Sequence, residues 1–191
     1  MKQKTKIRYY FDEFKRMIDD IEVFDLKRKN IGIESAVNDI VSAILRCKKS
    51  NNTIFFVGNG GSASIANHMA TDFIKNGEMR CLAFSDASLI TCVSNDLGYE
   101  QVFAKPIEQF LENGDILFAI SSSGESANIL NSVDAVRKKR CLVITLSGFS
   151  PRNKLSRKGD LNIYVGSNVY SHVEIMHMAL CHYITDIFIN R

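Results

Sequence analysis

The pattern of apolar and polar positions divides the chain into a helical beginning and an alternating remainder. Apolar residues recur at helical spacing in residues 9–21 and 33–48, which predicts two amphipathic helices. Residues 53–57 form a short β-branched and aromatic run that ends at Gly58. Such a run is typical of a buried parallel strand. The pattern therefore changes at about residue 50.

Strands and helices alternate from this point to the end of the chain. Further strands are predicted at residues 80–84, 115–120, 141–146 and 161–165, and helices at residues 62–75, 102–111, 127–138 and 173–189. With right-handed crossovers, this alternation predicts an α/β fold of three layers, α/β/α, around a five-stranded parallel sheet in the flavodoxin-like order. In that order, ligands bind where the connections from the first and third strands diverge.

Length and composition favour one compact unit. The chain has 191 residues, 46% of them apolar, 24% charged and two of them proline, and it contains no tract that reads as a linker. We expect residues 1–50 to be a helical arm of the same unit and residues 51–191 to be the α/β domain.

Charge and cysteine content exclude several classes of protein. A net charge of +3 with scattered Lys and Arg argues against a nucleic-acid partner. No apolar stretch approaches the roughly 20 residues of a membrane span, and the charged first residues do not resemble a signal peptide, so we expect a cytoplasmic protein. Five cysteines without a CxxC pair argue against a disulfide framework and a thiolate zinc site.

Two small polar loops follow the first and third main strands. They are GNGGS at residues 58–62 and SSSGES at residues 121–126, each before a predicted helix. Free backbone N–H groups at a helix start, together with hydroxyl donors, bind anions, and phosphate is the natural ligand. The alternative is that these residues only cap helices and form turns. Two such loops at the predicted crevice, with four serines in one of them, favour the phosphate site.

A dinucleotide site is a competing hypothesis for the first loop. Residues 58–63 satisfy the pattern G-x-G-x-x-A after a strand, and Asp86 follows roughly 20 residues later. The chain is short, however, for a nicotinamide-binding domain with a substrate domain. This hypothesis also leaves the serine loop without a role, and it ranks below the phosphate site.

Two helices carry residue types that bind metals and move protons. His68 and Asp72 lie four residues apart, about 40° around a helix axis, and so share a face. Near the end of the chain, His177 and His182 lie on opposite sides of Glu174, at about 60° and 80°, so one of them is expected to join it. Each residue alone is compatible with an ordinary buried or surface position. Together they form a nitrogen and oxygen set that suits zinc.

These motifs together resemble the sugar isomerase (SIS) domain family. GNGGS, His68, Asn95-Asp96, SSSGES and the last helix with its E-x7-H spacing are most similar to the phosphoheptose isomerase group, over nearly the whole chain. The resemblance implies conversion of sedoheptulose 7-phosphate to D-glycero-D-manno-heptose 7-phosphate through an enediol. It also implies Zn²⁺, a homotetramer or dimer, and a role in bacterial heptose glycan synthesis.

The resemblance also assigns roles to residues of this chain. Asp72 is expected to be the base and His182 its acid/base partner. The zinc ligands are expected to be His68, Asp72, Glu174 and His182. The substrate contacts are expected to be Asn59, Gly60, Gly61, Asp72, Asn95, Asp96, Ser121, Ser122, Ser123, Ser126 and Glu174, with the four serines holding the phosphate. His177 falls outside the set and is expected to be structural.

Two positions depart from the pattern of the family. Asp72 stands where the family usually has Glu, and Glu174 where it usually has Gln. The shorter first carboxylate keeps an alternative open, namely a non-catalytic SIS protein that binds a sugar phosphate or a protein partner such as a replication initiator. Retention of His68, Glu174 and His182 favours the enzyme.

Overall fold

A computed structural model describes residues 7–190, and a six-stranded sheet lies at its centre. The strands are β1 (Glu22–Asp25), β2 (Thr53–Gly58), β3 (Arg80–Ala83), β4 (Ile116–Ser121), β5 (Leu142–Ser147) and β6 (Leu161–Tyr164). Their order is β1-β6-β5-β4-β2-β3, with β1 antiparallel to β6 and every other pair parallel. The five parallel strands thus have the predicted flavodoxin-like order.

Helices cover both faces of the sheet. They are α1 (Ile7–Asp19), α2 (Ile33–Lys49), α3 (Gly61–Lys75), α4 (Ala87–Leu97), α5 (Ala104–Phe110), α6 (Ala127–Val136) and α7 (Tyr170–Ile189). Alternate residues of β2 divide the core: Ile54 and Phe56 pack with α2, α3 and α7, while Phe55 and Val57 pack with α5 and α6. This alternation is what a parallel strand buried on both faces requires.

The predicted α/β fold class is confirmed, with a corrected strand count. The prediction of five strands missed β1, which adds a sixth strand at the edge. It also missed α4, whose residues bury a single side chain, that of Val93. Short elements with little buried surface give a weak hydrophobic period.

The first helices share the core of the sheet. Phe14 and Met17 of α1 belong to the same buried cluster as residues of α2 and α7. The division into an arm at 1–50 and a domain at 51–191 stays a prediction, and its residues 1–6 and 191 lie outside the described chain. None of the helices in residues 7–190 has the length and apolar character that crossing a bilayer demands.

Candidate active site

A pocket of about 230 Å³ opens at the carboxyl ends of β2 and β4. This is the point where the two connections diverge toward α3 and α6, as in other doubly wound sheets. Its lining comprises Asn59, Gly60, Gly61, Ser62, Ile120, Ser121, Ser122, Ser123, Ser126, Tyr170 and Glu174. Both polar loops singled out in the sequence therefore face one cavity.

The starts of α3 and α6 leave backbone donors for a ligand. Gly60 precedes α3 with a φ of 53°, a conformation that glycine adopts without strain, and it has no side chain with which to cap the helix. Ser126 precedes α6, and its hydroxyl makes no capping hydrogen bond. The first N–H groups of a helix have no partner within it, and the helix dipole is positive at this end. The pocket is accordingly suited to an anion.

The serine loop contains one buried hydroxyl without a partner. Ser121 Oγ accepts the N–H of Gly124 at 3.1 Å, and Ser123 Oγ accepts the N–H of Glu125 at 3.3 Å. Ser122 Oγ is buried and has no hydrogen-bond partner. An unsatisfied buried polar group costs about 1–3 kcal/mol, which a bound oxygen would recover. Ser122 is itself one of the residues that line the cavity.

Glu174 reaches the pocket from α7 and packs against the first residue of α3. A Cβ atom built on Gly61 would lie 2.4 Å from Glu174 Oε2. Position 61 therefore requires glycine while this carboxylate holds its place. Tyr170, one turn earlier on α7, adds an aromatic wall.

Beyond the pocket, α3 and α7 bring three of the predicted residues together. One carboxylate oxygen of Asp72, Oδ2, lies 3.5 Å from His68 Nε2 and 3.7 Å from His182 Nδ1. The two imidazole rings meet edge to face with centroids 5.0 Å apart. The His68 and His182 side chains are 49% and 42% exposed, so solvent and small molecules reach the cluster.

The donor set of this cluster fits a zinc ion. One ligand atom from each of His68, Asp72 and His182 lies within 4.8 Å of the other two. Two imidazole nitrogens and a carboxylate oxygen are zinc ligands of catalytic sites, which leave one position open. Glu174 is not in this group of three but lines the pocket. Its part in a four-ligand set stays a prediction.

An amide pair that the sequence analysis did not identify holds Asn59. Asn59 Nδ2 donates to Asn128 Oδ1 at 2.9 Å, and Asn128 Nδ2 donates to Asn59 Oδ1 at 2.8 Å. The hydroxyl of Tyr99 also donates to Asn59 Oδ1, at 3.1 Å. Asn128 stands two residues after SSSGES, and its burial at 2% exposure is a signal that only the folded structure provides.

Asn95 and Asp96 lie away from this pocket. Both are exposed near the end of α4, where Asn95 Nδ2 donates to Asp96 Oδ1 at 2.8 Å. Asp96 Oδ2 also accepts from the thiol of Cys92 at 3.7 Å. Neither residue lines the cavity within one chain, so their predicted contact with substrate stays a prediction.

His177 is buried between α7 and the sheet, apart from the exposed cluster. Its Nε2 lies 3.2 Å from the carbonyl oxygen of Ser147, and its Nδ1 has no hydrogen-bond partner. Burial lowers the pKa of His177 to about 4, against a smaller opposing effect of the hydrogen bond to Ser147. The imidazole is therefore neutral near pH 7.

Comparisons with known proteins agree with this geometry. The family model for the SIS domain matches residues 10–148. A phosphoheptose isomerase of Helicobacter hepaticus is 31% identical over 166 residues, 84% of each chain.

Solved structures extend the similarity to the whole fold. The phosphoheptose isomerase GmhA from Neisseria gonorrhoeae is 26% identical, with a TM-score of 0.83 and 97% of both chains covered. A phosphoheptose isomerase from Francisella tularensis is also 26% identical, with a TM-score of 0.85 over 100% of both chains.

Proposed function

The chain belongs to the SIS domain family and, within it, to the phosphoheptose isomerases, and we propose that it converts sedoheptulose 7-phosphate to D-glycero-D-manno-heptose 7-phosphate. The observation that carries the proposal is the adjacency of two features on the same helices. The starts of α3 and α6 and the side of α7 form the anion pocket, and α3 and α7 also carry the cluster of imidazoles and carboxylate. A sugar phosphate would use the anion pocket for its phosphate and the cluster for its carbonyl end.

Ketose-to-aldose isomerisation moves one proton between two carbons and another between two oxygens. The reaction requires a base beside the carbon and a donor for the oxygens. We assign Asp72 to the carbon proton and His182 to the oxygens, since His182 Nδ1 lies 3.7 Å from the carboxylate of Asp72. The enediol intermediate would form within reach of both side chains.

His68, Asp72 and His182 would hold the zinc ion, with Glu174 as a further candidate. Zinc polarises carbonyl oxygens as a Lewis acid and stabilises developing negative charge. Both imidazoles make their closest contact with the same carboxylate oxygen of Asp72, Oδ2. We propose that Oδ2 faces the ion and that the second oxygen, Oδ1, takes part in the proton transfer, so that one side chain serves both.

The pocket loops would bind the phosphate. Ser121, Ser122, Ser123 and Ser126 would donate hydroxyl groups, and Asn59, Gly60 and Gly61 would contact the ligand from the opposite side. Asn95 and Asp96 are proposed to contact substrate from a neighbouring subunit of a homotetramer or dimer, because they lie outside the pocket of their own chain. We further propose a cytoplasmic role in heptose glycan synthesis for lipopolysaccharide or capsule.

Deuterium incorporation during turnover tests the proposal. Wild-type protein with sedoheptulose 7-phosphate in deuterated water should incorporate deuterium at C2 of the aldose product. Asp72→Asn should lower this incorporation by at least a hundredfold, because general base catalysis contributes roughly 10²–10⁴-fold. Asp186→Asn, an exposed carboxylate on α7, is the matched control and should leave it unchanged.

Two results would contradict the assignment. Undiminished exchange in Asp72→Asn would remove this residue from the role of base. Purified wild-type protein that contains no zinc and turns over no seven-carbon ketose phosphate would favour the non-catalytic binding protein instead.

A further inference from the structure

Asn128 lies beside the pocket but is absent from its lining, and it joins the two loops that form the pocket. It is 2% exposed near the start of α6, and Asn59 belongs to the loop between β2 and α3. The two amides exchange hydrogen bonds of 2.9 and 2.8 Å across the gap between these loops. They form a direct side-chain link between the two walls of the anion site.

A backbone group fixes which way both amides point. The N–H of Ile129 can only donate, and it is shared between Asn128 Oδ1 at 3.0 Å and the carbonyl oxygen of Ser126 at 3.1 Å. This bond makes that atom the oxygen of Asn128 and leaves its NH₂ group to face Asn59. Asn59 must therefore turn its own oxygen toward Asn128.

The remaining capacity of Asn59 is then a single donor. Both lone pairs of its Oδ1 are used, one by Asn128 Nδ2 at 2.8 Å and one by the hydroxyl of Tyr99 at 3.1 Å. One N–H of its Nδ2 is used by Asn128 Oδ1. The second N–H is left, on a residue that lines the cavity together with Ser122.

We propose that Asn128 is a positioning residue that acts through Asn59, holding its amide so that an N–H donor faces the phosphate of the substrate. Without Asn128, only the hydroxyl of Tyr99 would hold the Asn59 amide, which would then rotate more easily and present its oxygen, a group that repels an anion. The proposal rests on the proposed function for the identity of the substrate. The link itself requires only that an anion binds in this pocket.

A double-mutant cycle on phosphate binding tests this link. The dissociation constant of inorganic phosphate is measured by calorimetry for wild type, Asn59→Ala, Asn128→Ala and the double variant. Each single change should raise the constant about tenfold, the effect of losing one hydrogen bond to a charged group. The double variant should be no weaker than Asn59→Ala alone, because Asn128 acts through Asn59.

A matched control and a milder variant separate positioning from folding. Asn131→Ala removes another amide from α6, whose Nδ2 donates to the Glu100 carbonyl at 3.2 Å, and should leave phosphate binding unchanged. Tyr99→Phe removes the other donor to Asn59 from an exposed residue, so it does not threaten the core. It should raise the constant about threefold, as a neutral hydrogen bond of modest strength would.

Kinetics supply the second readout. With sedoheptulose 7-phosphate, Asn128→Ala should raise KM about tenfold and change kcat less than threefold, because the phosphate anchor lies away from the proton-transfer cluster. The proposal would be overturned if the increases in the dissociation constant caused by Asn59→Ala and Asn128→Ala multiplied in the double variant. Unchanged phosphate binding in both Asn128→Ala and Tyr99→Phe would also overturn it. Wild type that binds phosphate but turns over no heptose phosphate would contradict the proposed function and leave the cycle interpretable.

Discussion

His177 shows how burial separates one histidine from another on the same helix. His182 lies five residues later and is 42% exposed beside Asp72, whereas His177 is completely buried against β5. The sequence predicts that one of the two joins the chemistry, since they lie on different sides of Glu174. Burial is what assigns a structural role to His177.

The buried imidazole of His177 makes the stability of the fold depend on pH. Its pKa is lowered by burial to about 4, while the pKa of a histidine in the unfolded chain is near its ordinary value of 6.5. Between these values the unfolded chain binds a proton that the native state does not. The stabilisation is therefore complete above pH 6.5 and is lost as the pH falls from 6.5 to 4, by about 3 kcal/mol in total.

Urea unfolding of wild type and His177→Leu at pH 7, 5.5 and 4 measures this loss. As the pH falls from 7 to 4, wild type should lose about 3 kcal/mol of unfolding free energy relative to His177→Leu. Leucine cannot ionise, so other titrating groups cancel in the comparison. A difference that stays constant with pH would mean that the pKa of His177 is the same in the native state as in the unfolded chain.

Contacts between residues that are close in sequence were predictable, and contacts between residues that are far apart in sequence were not. The spacing of His68 and Asp72 predicts that they share a face of α3, and they do lie together. The amide pair of Asn59 and Asn128 joins residues 69 positions apart, and no local period indicates such a contact. The same limit applies to Glu174, whose reach toward Gly61 depends on how α7 packs on α3.

Among the elements, the long buried strands were predictable and the short edge elements were not. β2 and β4 are buried at every position, and their apolar runs stand out in the sequence. β1 buries only Val23 of its four residues, so the sequence around it looks polar. Backbone hydrogen bonds to β6 hold β1 in the sheet. The hydrophobic pattern of the side chains of β1 gives no sign of this pairing.

The junction of α3 and α7 makes binding sensitive to a single methyl group. Gly61→Ala would bring a Cβ atom to 2.4 Å from Glu174 Oε2, at the end of a flexible side chain. The carboxylate would move while the fold persists, because alanine adopts the helical conformation of this first residue of α3 at least as readily as glycine. We expect unchanged or higher stability together with a fall in kcat/KM of about tenfold or more, because small displacements in a site are costly.

Thermal unfolding and steady-state kinetics on the same preparations check this separation. Gly166→Ala is the matched control, since a Cβ atom there meets only the Tyr164 ring, at 3.7 Å. Gly166→Ala should change neither the melting temperature nor kcat/KM. Loss of stability in Gly61→Ala comparable to its loss of activity would mean that Glu174 cannot move aside.

At the scale of the whole molecule, the sheet order followed from the alternation of elements, whereas the proposed sharing of the site between chains does not follow from it. Crossover handedness leaves few topologies for five parallel strands, and the observed order is the flavodoxin-like one. Asn95 and Asp96 carry the resemblance to the family, and yet they lie outside the pocket of their own chain. A pattern along one chain contains no direct information about surfaces that face another copy.

The helix α1 is the surface on which the proposed assembly is most directly tested. Phe14 and Met17 bury one part of its apolar stripe, while Ile7, Phe11 and Ile18 on nearly the same side remain 71%, 60% and 57% exposed. Such a stripe, continuing beyond the core of its own chain, is suited to burial between subunits of a symmetric oligomer.

Light scattering during size-exclusion chromatography gives the mass of the assembly directly. Wild type should elute with the mass of two or four chains of 21.5 kDa each. Phe11→Asp should shift the mass toward one chain, because a buried unpaired charge at an interface costs several kcal/mol. Arg16→Asp introduces the same side chain on the opposite side of α1 and should leave the mass unchanged. An oligomer that Phe11→Asp does not weaken would exclude α1 from the interface, and the contact that brings Asn95 and Asp96 to a pocket would have to use another surface. A monomeric wild type would contradict the proposed assembly and, with it, the contact of Asn95 and Asp96 with a neighbouring pocket.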